Sequence, residues 1–432
     1  MKILIKNGRL IDPANKIDQV LDILVDNTKI VRLDKNITNG QATVIDATNK
    51  IVMPALVDMH VHLRQPGRED KETIFSGTQA AVHGGVGTVL AMPNTEPPID
   101  SPEQIRLLKK IISQTANAKV LIAATITVGR QGKELTPIAQ LKKEGAVAIT
   151  DDGSSVDSAE ILAKAMVKAR QAKILIISHC EDKTLSQNGV MNLGAMSTRL
   201  GLRGIPNASE YKRVQRDIEL AAKTKCRLHI AHVSCQESVE IIAKAKKKGI
   251  MVTAETAPHY FSLTEKALFD YDTNKKMNPP LRTDKDVAAI KDALSDGTID
   301  AIASDHAPHT MPDKDIEFDH AEFGVIGLET ELAVSITNLV ETKHLSWLDL
   351  AKVMSLNPAR ILGIDRGNLS VGKSADLIVV DPVKTWQVRK EEFLSKSKNS
   401  CFLGMQLKGK VLYTILGGKI VYKVKDSEDI SH

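Results

Sequence analysis

The feature that most constrains this chain is an eightfold recurrence along its middle. Short apolar runs at Leu56–His60, Thr88–Met92, Val120–Thr125, Val147–Thr150, Ile174–Ser178, Leu228–His232, Met251–Glu255 and Ala301–Ser304 read as buried strands. They are nearly continuous rather than alternating, so both faces must be covered, as in a parallel sheet flanked by helices. Helical patterns separate most of them. One opens at Ser101-Pro102-Glu103-Gln104, with a cap, a proline at the first helical position and a capping-box glutamine, and sets Ile105, Leu108 and Ile112 on one face. Another begins at Asp157, with Glu160 three residues on, and carries Ile161, Leu162, Ala165 and Met166. The pattern predicts an α/β fold, a (β/α)8 TIM-type barrel; a doubly wound open sheet is the alternative. Polar residues end most of the runs: His60 and His62, Asn94, Asp151 and Asp152, His179, His232, and Asp305. In a barrel those strand ends converge on one face, and this coincidence favours the barrel.

Both ends of the chain read differently. Residues 1–52 hold KILIKNGRLID, QVLDILVDNTKIVRLD and TVIDATNKIVM, with Asn-Gly and Asp-Asn pairs at the bends; ADLIVVDP and VLYTILGGKIVYKV lie near the other end. These predict one small antiparallel β-domain composed of residues 1–52 and 366–432, with the barrel spanning 53–365. Aromatic residues are only 3% of the chain, so the core must be built from Ile, Leu, Val, Ala and Met. A net charge of +5 over 432 residues gives no reason to expect nucleic-acid binding. Cys180, Cys226, Cys235 and Cys401 form no CxxC pair and no disulfide framework. No apolar run is long enough to span a membrane, and the start lacks a signal-peptide pattern, so a cytoplasmic protein is expected.

The chemistry begins at Asp58-Met59-His60-Val61-His62. Side chains two apart on a strand point the same way, so both imidazoles face one side and can share a metal. HxH alone is weak, because incidental histidines on a buried strand are as common. His179, His232 and Asp305 at other strand ends strengthen it. Four imidazoles and two carboxylates exceed what one tetrahedral zinc needs, which points to two ions bridged by a carboxylate. Such a centre would acidify a water and polarise an amide carbonyl, and Asp305 would carry the proton to the leaving nitrogen.

The remaining histidines have plainer readings. His229 has the opposite parity to His232 and is expected to pack behind the barrel; His83 falls in a helical stretch, His320, His344 and His432 fall in loops or the tail, and His259 and His306 lie close enough to strand ends to support the site. Gly367-Asn368-Leu369-Ser370-Val371-Gly372-Lys373-Ser374 matches the P-loop formula, but a helical pattern precedes it and a strand follows, the reverse of what phosphate binding needs. Gly84-Gly85-Val86-Gly87 precedes a strand and reads as a turn, and Lys244 with Lys246–Lys248 reads as a helix C-terminus.

Asp58-Met59-His60-Val61-His62-Leu63-Arg64-Gln65-Pro66-Gly67 resembles the dihydroorotase signature of the amidohydrolase superfamily, with Gln65 where an acidic residue is common. Met92-Pro93-Asn94-Thr95, Thr150-Asp151-Asp152-Gly153, His179-Cys180-Glu181-Asp182, Met277-Asn278-Pro279-Pro280-Leu281-Arg282 and Ser304-Asp305-His306-Ala307-Pro308-His309 are similar to it, in order. The resemblance implies a composite β-domain beside the barrel, two zinc ions held by His60, His62, Asp152, His179, His232 and Asp305, and Asp305 as catalytic acid and base. It implies substrate contacts from His62, Arg64, Asn94, Asn278, His309 and the backbone at Phe323-Gly324. Asp151-Asp152 stands where many relatives carry a carbamylated lysine, as in the long bacterial type. That resemblance assigns the bridge to Asp152; parity does not decide between the two. Ala55 and Glu322 stand where glycine and proline are usual. The implied reaction is the reversible interconversion of dihydroorotate and N-carbamoyl-aspartate in pyrimidine (UMP) biosynthesis, by a homodimer able to associate with aspartate carbamoyltransferase.

Residue chemistry points the same way. Dihydroorotate differs from simpler cyclic amides by its ring carboxylate, and Arg64 directly follows the metal strand, where a guanidinium can grip a carboxylate through paired hydrogen bonds. Two other readings stand beside this one: a hydantoinase or allantoinase, and a non-catalytic subunit scaffolding aspartate carbamoyltransferase. The charged stretch 310–322 reads either as a lid or as a surface loop.

Overall fold

A computed structural model of the chain describes residues 2–424. Eight parallel strands, Leu56–Val61, Val86–Ala91, Lys119–Ala124, Ala146–Ile149, Leu175–Ser178, Leu228–Ile230, Val252–Thr256 and Ala301–Ile302, pair in chain order. The first and last are joined by a bridge between Val61 and His306 and by His62 N–H donating to His306 O at 2.8 Å, so the sheet curls into the expected barrel rather than an open sheet. Each strand lies within a few residues of its sequence prediction.

The barrel interior is packed with aliphatic side chains and methionine, in keeping with the scarcity of aromatics. Val57, Met59, Leu90, Met92, Leu121, Ala123, Ala148, Leu175, Ile177, Ala231, Ala301 and Ala303 form one cluster with Ala359, Ile361 and Leu362 of the helix Asn357–Leu362. The helices cover the outside. Pro102–Thr115 buries Ile105 and Leu108, each contributing about 1.5–3 kcal/mol. Its cap is Ser101, as predicted, but Gln104 does not close a capping box and its side-chain oxygen is without a partner. The next predicted helix spans Ala159–Ala172 and is capped by Ser158; Asp157 instead pairs with Arg213 at 3.1 Å.

Strands from both ends form a second sheet, in the order Lys419–Lys423, Gln406–Leu416, Leu377–Gln387, Ile51–Pro54, Lys2–Asp12, Ile17–Asp26, Lys29–Asp34, with Thr43–Asp46 beside Lys2–Asp12. The sheet is mixed, not antiparallel: Lys2–Asp12 runs parallel to both Thr43–Asp46 and Ile51–Pro54. Asn39-Gly40 lies in a connection, but Asn7-Gly8 sits within the first strand at a bulge, where a side chain on Gly8 would meet Val52 Cγ2 at 2.5 Å. Residues 395–399 reach the mouth of the barrel. The P-loop-like stretch is a loop between the helix Asn357–Leu362 and the strand Leu377–Gln387, and Gly84-Gly85 is a turn. All four cysteines are free and buried. Among the described residues no helix is long and apolar enough to cross a membrane.

Candidate active site

The polar groups predicted at the strand ends, Asp151 excepted, meet at one mouth of the barrel. A bulge between Asp58 and Val61 turns the first strand there, and Asp58 accepts from the backbone of His60 at 2.9 Å and of Ser304 at 3.2 Å. It ties the HxH strand to the residue before Asp305. Burial pushes the Asp58 carboxyl up to about 6, against hydrogen bonds that lower it. His60 Nε2 is 3.2 Å from Asp152 Oδ1 and 3.7 Å from Asp305 Oδ1. His62 Nε2 is 3.5 Å from Asp152 Oδ2 and 3.3 Å from Asp305 Oδ1. His179 Nδ1 and His232 Nε2 lie 3.6 and 3.7 Å from Asp152 Oδ1, and 2.8 Å from each other.

Asp151 is turned away. Its carboxylate accepts from the backbone of Ile126 and Thr127 at 2.8 and 3.1 Å and from the Thr127 hydroxyl, so it holds the loop after the third strand. Asp152 alone of the two faces the imidazoles, one oxygen toward His62 and the other toward His60, His179 and His232.

The cluster is electrostatically unbalanced in favour of cations. Burial disfavours a charged His60, yet Asp152 and Asp305 hold its imidazole well above the usual range. His179 is likewise opposed by burial but raised to about 9 by Asp152 and Glu181. Asp305 is held below the usual carboxylate range despite burial, chiefly by His60 and His62, and so is ionised at neutral pH. His60 Nε2 and Asp152 Oδ1 are buried without hydrogen-bond partners. Two groups, His60–Asp152–His232 and His60–His62–Asp305, each bring their donor atoms within 4.8 Å of one another. Imidazole nitrogens and carboxylate oxygens so gathered fit a divalent metal such as zinc.

Beside this cluster opens a cavity of about 290 Å3 lined by Arg64, Asn94, Asn278, His309, Phe323 and Gly324, among others. Asn94 Oδ1 faces His62 Nδ1 at 2.8 Å, which turns the Asn94 amide nitrogen away from that ring. Arg64, half-buried and at φ 60°, donates to Pro308 O at 3.2 Å, and its Nη2 lies 3.3 Å from His309 Nε2; no carboxylate pairs with it among the described residues, and loss of solvent pulls it down to about 10, so it stays charged at neutral pH. Lys71 Nζ lies 3.0 Å from His309 Nδ1, so a cationic donor faces each ring nitrogen. Burial, then the cations Arg64 and Lys71, hold His309 far below its usual range, so the ring is neutral. Asn278 donates to Glu181 at 3.2 Å. Gly324 sits at φ 130°, and a side chain there would meet Ala307 Cβ at 2.7 Å and His309 Nε2 at 3.1 Å. Only glycine fits.

Several residues that hold this site carry no sequence signal. Arg130 lines the cavity and donates to Asp152 O at 2.5 Å. Asn399 accepts from His309 N–H at 3.1 Å and donates to Ala307 O and Gly324 O at 3.2 and 3.1 Å. The stretch 310–322 is pinned rather than loose: Met311–Lys314 forms a capped helical turn, and buried Lys314 donates to the carbonyls of Lys276, Glu322 and Gly324 at 3.3, 2.7 and 3.0 Å. Lys314→Met should remove charge-assisted bonds of about 1.5–3 kcal/mol each and release Phe323-Gly324. Expected are a lower melting temperature and a raised KM with kcat within about twofold; thermal denaturation and steady-state kinetics measure both, and an unchanged KM removes Lys314 from this role.

The parity reading of His229 is corrected. Ala231 faces the barrel interior, so His229, two residues earlier, does too, where it meets Glu255 at 3.2 Å and Thr253 at 2.8 Å. It is His232 that departs from strand geometry: the strand ends at Ile230, and φ 36° swings His232 to the mouth. His306 is held by Glu72 at 3.3 Å, His83 bonds Glu329, and His320 is exposed. His259 is buried beside Tyr260, and burial pulls it down to about 4.

Family models agree with this geometry: Dihydro-orotase-like matches residues 49–238 and Amidohydrolase family matches 243–422. A barrel whose mouth gathers imidazoles and carboxylates in this way is that of a metal-dependent amidohydrolase, a hydrolase acting on a cyclic amide. The chain is 51% identical over 432 residues to a dihydroorotase of Elusimicrobium minutum, covering 99% of this chain and 100% of the relative. To a dihydroorotase of a Thermoanaerobacter species it is 49% identical over 423 residues, 98% of each. The chain belongs to the dihydroorotase family. Among solved structures, an L-hydantoinase from Arthrobacter aurescens superposes with a TM-score of 0.88 at 27% identity, covering 98% of this chain and 96% of that one. A dihydropyrimidinase from Brevibacillus agri gives 0.86 at 23% identity, over 98% and 95%, and shares the fold.

Proposed function

We propose that the chain interconverts dihydroorotate and N-carbamoyl-aspartate, the ring-closing and ring-opening step of pyrimidine biosynthesis, with two zinc ions at the barrel mouth. The observation that carries the substrate is Arg64, half-buried, whose guanidinium lines the cavity with no carboxylate paired to it among the described residues. A guanidinium presented to a cavity without a carboxylate of its own suits paired hydrogen bonds to an incoming anion. The ring carboxylate of dihydroorotate is that anion. Hydantoin and allantoin lack it.

In this reading His60, His62, Asp152, His179, His232 and Asp305 hold the metal, with Asp152 between the imidazoles. Bound zinc supplies electrophilic activation of the amide and of a water. Arg64 and Asn94 donate to the substrate carboxylate, His309 contacts the substrate beside them, and Asn278 and the backbone at Phe323-Gly324 orient the ring. Asp305, ionised and 3.3 Å from His62, takes the proton from the attacking water and returns it to the leaving amide nitrogen. Residues 1–52 and 366–432 form the accompanying β-domain around a barrel of 53–365; residues 425–432 lie outside the described residues. A cytoplasmic location, a homodimer and association with aspartate carbamoyltransferase belong to the same reading and rest on the family resemblance.

Turnover of dihydroorotate, hydantoin and allantoin, measured together with metal content, tests it. Expected are turnover of dihydroorotate alone, about two zinc ions per chain, loss of activity with a chelator and its return with zinc. Turnover of allantoin alone overturns the substrate, and a metal-free, inactive chain favours the scaffolding subunit.

A further inference from the structure

Below the imidazole cluster, inside the barrel, lies a buried carboxylate with no lysine or arginine paired to it among the described residues. Glu255, on the strand Val252–Thr256, is 1% exposed. Its Oε1 is 2.8 Å from His60 Nδ1 and its Oε2 is 3.2 Å from His229 Nε2. His229 Nδ1 is in turn 2.8 Å from Thr253 Oγ1, the residue directly beside it in the sheet. The Oε2 contact is close but not aligned as a hydrogen bond.

A neutral imidazole has one N–H and one lone pair. With a carboxylate oxygen at hydrogen-bond distance, Nδ1 of His60 must carry the proton. The lone pair is therefore on Nε2, the atom that faces Asp152 and Asp305 and has no hydrogen-bond partner. A carboxylate behind a ligating imidazole fixes its ring and strengthens it as a donor. His229 packs against the second oxygen at 3.2 Å, so rotation of Glu255 would break its bond to His60 and this contact together. We propose that Glu255, braced by His229, is the positioning residue that sets His60 as an Nε2 donor and strengthens its hold on metal. The proposal rests on the reading of His60 as a ligand.

The test measures zinc held by the full chain after dialysis against graded free Zn2+, for the wild type, Glu255→Gln and His229→Gln. Glu255→Gln keeps the shape and removes the charge. Its zinc affinity should fall about 10–100-fold, and that of His229→Gln should fall in the same direction. Nitrogen NMR of the zinc-loaded wild type should find the remaining His60 proton on Nδ1. Wild-type affinity in both variants, or a proton on Nε2, overturns the proposal. If Glu255→Gln does not fold, His229→Gln and the wild-type tautomer decide. A wild-type chain that holds no zinc overturns the reading of the site instead, so the two failures are distinct.

Discussion

Asp305→Asn is expected to lower kcat by about 10²–10⁴ while the chain keeps its fold, the range for loss of a general acid and base. The carboxylate sits 3.3 Å from His62 and 3.7 Å from His60, and those imidazoles keep it ionised at neutral pH, so it is ready to accept a proton. An amide has the same shape but cannot carry the proton between water and the leaving nitrogen. Because Asp305 also faces the imidazoles, zinc content must be measured beside kcat: the loss should persist in preparations matched for metal. The sign of its pH dependence follows from the direction of the shift. With the carboxyl below its usual range, ring opening should not decline on this account until pH falls through that depressed value. Near-wild-type kcat in Asp305→Asn removes the residue from proton transfer.

Arg64→Met carries the second large effect. Truncating one partner of a hydrogen-bonded charge pair that bound substrate encloses costs about 2–5 kcal/mol, so kcat/KM for dihydroorotate should fall by about 30- to 4,000-fold. Dihydrouracil, the same ring without the carboxylate, should lose nothing comparable. The comparison separates a carboxylate clamp from general damage to the site. Equal losses on both rings would mean that Arg64 holds the cavity in shape rather than the substrate. Lys71 and Asn399 bear on the same outcome, since they set the His309 ring and backbone beside Arg64.

Much of the architecture was legible because it is written in local periodicity. Each buried strand was readable as an apolar run, and the helix from Pro102 announced itself by Ser101 and its proline. Caps were less certain: Ser158, not Asp157, closes the helix after the fourth strand, since neighbouring polar residues compete for the same backbone donors. The terminal sheet was recognisable, but its parallel pairings were not, because they join segments such as Ile3 and Thr43 that no turn connects.

The sequence by itself determined which residues are buried, how often strand and helix alternate, and which polar groups end the strands. These follow from side-chain period and solvent preference, properties a residue has with its near neighbours. Tertiary structure decided that Asp152 rather than Asp151 meets the imidazoles, that His229 points inward, and that His232 and Arg64 reach the mouth through left-handed backbone. It also brought Glu255 to His60 across 195 residues. Such choices depend on individual torsions and on closure of the barrel, and neither leaves a mark in local residue spacing.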